Sequence, residues 1–215
     1  MKERPIFFNS PMVRAILDGT KTQTRRPVKF PRNFAQPEFL CGKGDDQNDP
    51  ANWGYETDEP GVFVTLADGI PSPYGTKEDR LWVRETFATL SNGDYLPVKP
   101  SSGCSQDIRY KADDPLRDTS ADIRGYGWRP SIHMPRWASR LTLPINNAWV
   151  ERLNDISESG AMAEGFIQTN TSPVQNFMRE WCDIYGSGQV ESNPFVWVTA
   201  FDNTRGHCHV PTTPQ

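Results

Sequence analysis

Three cations and three hydroxyls fall within one short stretch near the start of the chain, Gly19-Thr20-Lys21-Thr22-Gln23-Thr24-Arg25-Arg26. The whole chain has a formal net charge of -4, so this positive charge is local. An amine, a guanidinium pair and free hydroxyls held together make a polar cradle for an anion, a phosphate or the edge of a nucleobase. If the stretch is a strand, Lys21, Gln23 and Arg25 share one face and Thr22, Thr24 and Arg26 the other. A tight bend would instead bring Lys21 beside Thr24. A solvated basic edge strand is the plainer alternative.

The elements that must hold this cradle can be read on either side of it. Ser10-Pro11 reads as N-cap and first helical residue, Met12, Val13, Ile16 and Leu17 give one apolar face, and Gly19 supplies the left-handed turn that ends the helix. Three threonines then favour an extended backbone over Thr20–Thr24.

Further along, Arg80–Phe87 reads as a strand with Trp82 and Arg84 on one face and Leu81, Val83 and Glu85 on the other. Glu85 is a second candidate carboxylate, or a simple ion-pair partner of Arg84 or Arg26. The stretch Trp128–Trp137 carries Pro130 and Pro135 and forms no long regular element. Trp128 and Trp137 flank His133 with Arg129, Arg136 and Arg140 nearby, which is the composition of a base-stacking wall with phosphate contacts or of an aromatic-packed surface loop. Ser157 caps a short helix that carries Glu164 and ends at Gly165, and Thr171 or Ser172 caps a stronger amphipathic helix from Pro173 to Tyr185. Arg140–Ile145, Ala148–Leu153 and Phe195–Phe201 read as strands.

The chain has 215 residues with 19 Pro and 16 Gly, an ordered but loop-rich composition. It fits a single domain over residues 1–204 with loop-like insertions at about 31–79 and 88–136 and a tail over 205–215. The first insertion has room for a hairpin around Gly61–Leu66. Short strands with peripheral helices indicate an α+β fold, with a small barrel as one arrangement. Mild acidity argues against a general duplex-DNA binder. No stretch approaches the roughly 20 apolar residues of a membrane span, and no signal-peptide core opens the chain, so a cytoplasmic protein is expected. Cys41, Cys104, Cys182 and Cys208 form no C-x-x-C unit, Cys182 reads as a buried small hydrophobe, and His207-Cys208-His209 stands alone, so neither metal nor cofactor is expected.

Leu17–Arg26 resembles the opening G-x-K-x-x-x-x-R signature of the ASCH domain, a small β-barrel related to the PUA domain. Asp79–Glu85, Ile156–Gly165 and Trp197–Phe201 are similar to its later strand, its acidic helix and its closing strand, and the chain as a whole resembles the larger ASCH proteins of bacteriophages and prophages. The resemblance implies a PUA-like barrel with two long loop insertions, and a cleft that binds a modified nucleoside or single-stranded RNA. One small branch of the family is a metal-free amidohydrolase that removes the acetyl group of N4-acetylcytidine with a lysine, a threonine and a glutamate. Carried onto this chain, those roles fall to Lys21, Thr24 and Glu164, with Arg25, Arg26, Trp82, Arg84, Glu85, Trp128, His133 and Trp137 as substrate-binding candidates. Ribonucleases and non-catalytic RNA-binding or protein-adaptor modules are the family's other outcomes.

The three catalytic candidates suit amide hydrolysis on chemical grounds as well. An amide requires an activated nucleophile, a stabilised oxyanion and a protonated leaving amine. Thr24 can supply the nucleophile with Lys21 as base, or Lys21 can polarise the acyl oxygen while Glu164 activates water. Spacing along the chain leaves both open.

Overall fold

The structure, a computed structural model, describes residues 1–29, 38–39, 52–56, 59–60, 62–65, 72–89 and 108–202. Cys41, Cys104, Cys208, His207, His209 and the 205–215 tail lie outside the described residues. In chain order the strands are β1 (Glu3–Phe7), β2 (Gln23–Pro27), β3 (Glu38–Phe39), β4 (Trp53–Glu56), β5 (Phe63–Thr65), β6 (Arg80–Arg84), β7 (Phe87–Thr89), β8 (Ile108–Tyr110), β9 (Thr142–Arg152) and β10 (Phe195–Phe201). The α-helices are α1 (Ser10–Leu17), α2 (Ala121–Arg124), α3 (Glu158–Ala163), α4 (Pro173–Tyr185) and α5 (Gly188–Glu191).

A five-stranded sheet in the order β1-β6-β9-β10-β2 organises the molecule, with β1 parallel to β6 and the other neighbours antiparallel. The expected barrel is therefore not formed. Among the described residues nothing pairs with the outer edge of β1 or of β2, and the sheet stays open. Each of these two strands contains a proline, Pro5 in β1 and Pro27 in β2, which removes a ladder donor and suits a sheet edge. What crosses from one edge to the other is a side chain, Arg26 Nη2 donating to the Phe7 carbonyl at 3.0 Å.

Both faces of the sheet are covered, because alternate residues point to opposite sides. On one face Val13 and Ile16 of α1 pack against Ile6, Leu81, Val83 and Leu143. On the other, Phe177 and Trp181 of α4 pack against Val196 and Val198 of β10. Fully burying one such aliphatic side chain contributes about 1.5–3 kcal/mol, so each helix is held mainly by its apolar face. Helix α1 is capped by the Asn9 side chain, which accepts from Met12 N at 2.9 Å, one residue earlier than the sequence indicates. Ser172 and Gln175 form a reciprocal capping box at the start of α4, where Cys182 is only partly buried.

Other local expectations shift. The strand expected over Thr20–Thr24 begins at Gln23, and the two strands expected over 140–153 form the single β9. The loop-like insertion at 31–79 contains a second sheet, β3-β4-β5, and the one at 88–136 begins with the β7-β8 pair. Among the described residues no helix is long and apolar enough to cross a membrane.

Candidate functional site

Lys21 is placed by three backbone links. Its own N–H donates to the Ala15 carbonyl of α1 at 2.9 Å, Thr22 N donates to Ala163 O at 2.7 Å, and Lys21 forms an isolated antiparallel bridge with Glu164. Gly165 makes this approach possible. Its φ is +96°, and a Cβ there would lie 2.9 Å from the Ala15 Cβ and 3.3 Å from the Lys21 Cβ. The end of α3 thus seats against both α1 and the Lys21 turn.

The Lys21 side chain is wholly buried, and its Nζ donates to the Glu164 backbone carbonyl at 2.9 Å and to Glu164 Oε2. Its Nζ also lies 5.4 Å from the centre of the Phe8 ring. Burial pushes the Lys21 amine below its ordinary pKa, the Glu164 carboxylate pulls it back in part, and the charges of Arg26 and Arg25 add to the lowering. The other carboxylate oxygen, Glu164 Oε1, has no hydrogen bond among the described residues and lies 3.6 Å from Arg25 Nη1.

Arg25 ties three elements together. Its Nε donates to Glu151 Oε1 at 2.6 Å and its Nη1 to the Gly160 carbonyl at 3.3 Å, while Trp149 Nε1 donates to Glu151 Oε2 at 3.1 Å. A Cβ at residue 160 would meet Arg25 Nη2 at 2.8 Å, so glycine leaves the space the guanidinium occupies.

Thr24 is also wholly buried, on the face of β2 opposite to Arg25. It stands directly across from Thr199 in the β2-β10 ladder, and neither hydroxyl has a hydrogen-bond partner among the described residues. Lys21 and Glu164 are therefore in direct contact, whereas the Thr24 hydroxyl is bonded to neither.

The remaining candidates separate from this cluster to different degrees. Arg26 shares the Phe8 ring with Lys21, its guanidinium 5.4 Å from the centroid. Arg84 packs on Phe7 and Trp82 at 4.8 and 5.4 Å, and its Nε donates to the Ser131 carbonyl at 3.1 Å. Glu85 pairs with neither Arg84 nor Arg26. Arg140 holds it in a two-pronged contact at 2.9 and 3.0 Å and reaches Asp113 at 2.6 Å with another nitrogen. Burial raises the Glu85 pKa against the pull of Arg140. Burial also opposes the charge on Arg140, but hydrogen bonds to Glu85 and Asp113 outweigh it and raise its pKa.

The two tryptophans do not form one wall around His133. His133 is exposed in a short 3-10 turn, and Trp137 packs against the Phe87, Met134 and Ala138 cluster. Trp128 instead meets Tyr126 edge to face at 5.4 Å, with the Arg124 guanidinium 5.1 Å from its ring. Arg124 and Tyr126 help line a groove of about 540 Å³ with Arg109, Asp114 and Leu116.

Sequence reasoning overlooked Asp113, Tyr126 and Thr199, and placed Arg140 with the Trp128–Trp137 stretch rather than against Glu85. The signal for Thr199 was available as a lone hydroxyl inside the apolar run Phe195–Phe201, and Arg124, Tyr126 and Trp128 repeat at a spacing of two residues. Among the described residues no group of three or more His, Cys, Asp or Glu side chains is placed to hold a metal ion. Comparison with models of protein families, with curated proteins and with solved structures finds no match to this chain.

Proposed function

We propose that the protein is an ASCH-like nucleoside-binding protein that hydrolyses the exocyclic amide of N4-acetylcytidine, with Lys21, Thr24 and Glu164 as the reacting groups. The observation that supports this reading is a buried lysine in contact with a buried glutamate, three positions from a buried threonine hydroxyl that has no partner among the described residues. Burial weakens the hold of Lys21 on its proton, which suits a group that must accept and return one. Glu164 Oε1 accepts no hydrogen bond among the described residues, with Arg25 Nη1 3.6 Å away.

In the proposed reaction the Thr24 oxygen forms a bond to the acyl carbon and its proton passes to the Lys21–Glu164 pair. That proton moves to the exocyclic nitrogen as the C–N bond breaks and cytidine leaves. Water then cleaves the threonine ester, so the balance is amide plus water to amine plus acetate. Lys21 is fully covered and Glu164 is only 4 % exposed, so substrate entry requires the Glu164 end of α3 to separate from Lys21. The test is incubation of the purified protein with N4-acetylcytidine and chromatographic separation of the products. Cytidine above a heat-killed control is expected, and its absence at saturating substrate overturns the reaction.

A second reading, a non-catalytic single-stranded RNA-binding module, is favoured by the Arg124-Tyr126-Trp128 stack beside its groove. Short RNA should then bind with strong salt dependence while the free nucleoside does not bind at all.

A further inference from the structure

Thr199 is out of character with its strand. Its neighbours Phe195, Val196, Trp197, Val198 and Phe201 are buried apolar side chains, yet Thr199 places a wholly buried hydroxyl among them with no hydrogen-bond partner among the described residues. A buried hydroxyl loses its bonds to water and normally regains them within the protein. Valine has nearly the same shape, suits a strand at least as well and carries no such cost. The cost is doubled at this spot, because the partner of Thr199 across the ladder is Thr24, equally buried and equally without a hydrogen bond.

Directly opposed residues of an antiparallel pair have Cβ atoms about 4.5–5.5 Å apart. Two hydroxyls carried on Cβ atoms at that spacing that do not bond each other can both turn toward a single oxygen atom lying between or just above them. A hydroxyl can donate as well as accept, so an oxygen that only accepts is a fitting occupant.

Resting on the proposed reaction, we infer that Thr199 is a further substrate-contacting residue, whose hydroxyl donates to the carbonyl oxygen of an N-acylated nucleobase while Thr24 faces its acyl carbon. In the reaction this oxygen becomes the oxyanion as the Thr24 oxygen adds to the carbon, and it returns to a carbonyl when the C–N bond breaks. Thr199 keeps its own proton throughout and serves as an oxyanion donor.

The test compares the wild-type protein with Thr199→Val and Thr199→Ser on two ligands, N4-acetylcytidine and N4-ethylcytidine, which lacks the carbonyl oxygen. The wild-type protein should bind the acetyl compound about tenfold more tightly than the ethyl one, and Thr199→Val should erase that preference. Turnover in Thr199→Val should fall about 10²–10³-fold in kcat, with Thr199→Ser restoring most of it. The urea midpoint of Thr199→Val should be no lower than that of the wild-type protein, since the hydroxyl holds nothing within the fold. An unchanged ligand preference, or an activity loss matched by a lowered midpoint in both variants, overturns the inference. If the wild-type protein prefers the acetyl compound but releases no cytidine, the reaction fails while Thr199 is still judged by the binding ratio. Binding of neither ligand overturns both.

Discussion

Glu164 and Glu85 are both buried carboxylates held against cations, and they differ in whether a partner can give up a proton. Glu85 has a donor on each oxygen from the Arg140 guanidinium, and Asp113 takes further donors of the same group. Arginine does not release its proton in a protein, so the cation of this cluster has no proton to transfer. Glu164 meets a lysine, whose amine can exchange a proton and is already pushed toward doing so by burial. One of its oxygens carries no hydrogen bond among the described residues. Similar burial thus sets one carboxylate against a guanidinium that holds its proton and the other against an amine whose hold on its proton is weakened.

The largest expected effect is on turnover. Replacing Lys21 with Met, or Glu164 with Gln, should lower kcat for N4-acetylcytidine about 10²–10⁴-fold, whereas Glu85→Gln should leave it unchanged. Equal losses in all three variants would erase the distinction between the two clusters.

Stability should rank the other way. Glu85→Ala removes a partner from the partly buried Arg140, and urea unfolding should show a loss of roughly 3 kcal/mol. Glu164→Ala should cost less, because the stranded Lys21 can give up its proton. The double replacement Lys21→Met with Glu164→Leu should come within about 1 kcal/mol of the wild-type protein or exceed it, with no activity left.

The smallest effect is in the pH dependence of the urea midpoint. The folded pKa of Glu85 is raised, so its contribution is full below about pH 4.3 and is lost as pH rises through the folded value. The folded pKa of Lys21 is lowered, so the unfolded chain holds more protons between that value and about pH 10.4, and stability rises with pH across this window. Glu85→Gln should flatten the acid-side slope and Lys21→Met the alkaline-side slope. If either variant flattens both, the two clusters are electrostatically one.

Short-range chemistry made much of the fold legible. Gly19 at φ +81°, the Ser157 cap of α3 and the span of β10 lie where the residues place them. The strand pair inferred on either side of Asn146-Asn147 failed because two adjacent asparagines resemble a turn, whereas both continue β9 as exposed strand residues. A slip in the β9-β10 register next to Phe201 accompanies this stretch. The site was harder to read. Lys21 and Glu164 are 143 residues apart, and their pairing was anticipated through a family resemblance, with no periodicity to indicate it. Arg140 lies 55 residues from Glu85 and carries no local signal of its partner. Pro5 and Pro27 did carry a signal, that the strands holding them end a sheet, and the expectation of a closed barrel passed over it.

Those two prolines also bear on how the molecule behaves beside other copies of itself. An open sheet offers its outermost strands as templates on which a foreign strand can dock and propagate into an aggregate. In this chain each outermost strand is missing a donor at its proline, and the Phe7 carbonyl, an acceptor at the end of β1, is already occupied by Arg26. The same prolines that mark the two edges of the open sheet also blunt its capacity to recruit a neighbour, so Pro5→Val or Pro27→Val is expected to raise light scattering in concentrated solution well before it alters the native fold.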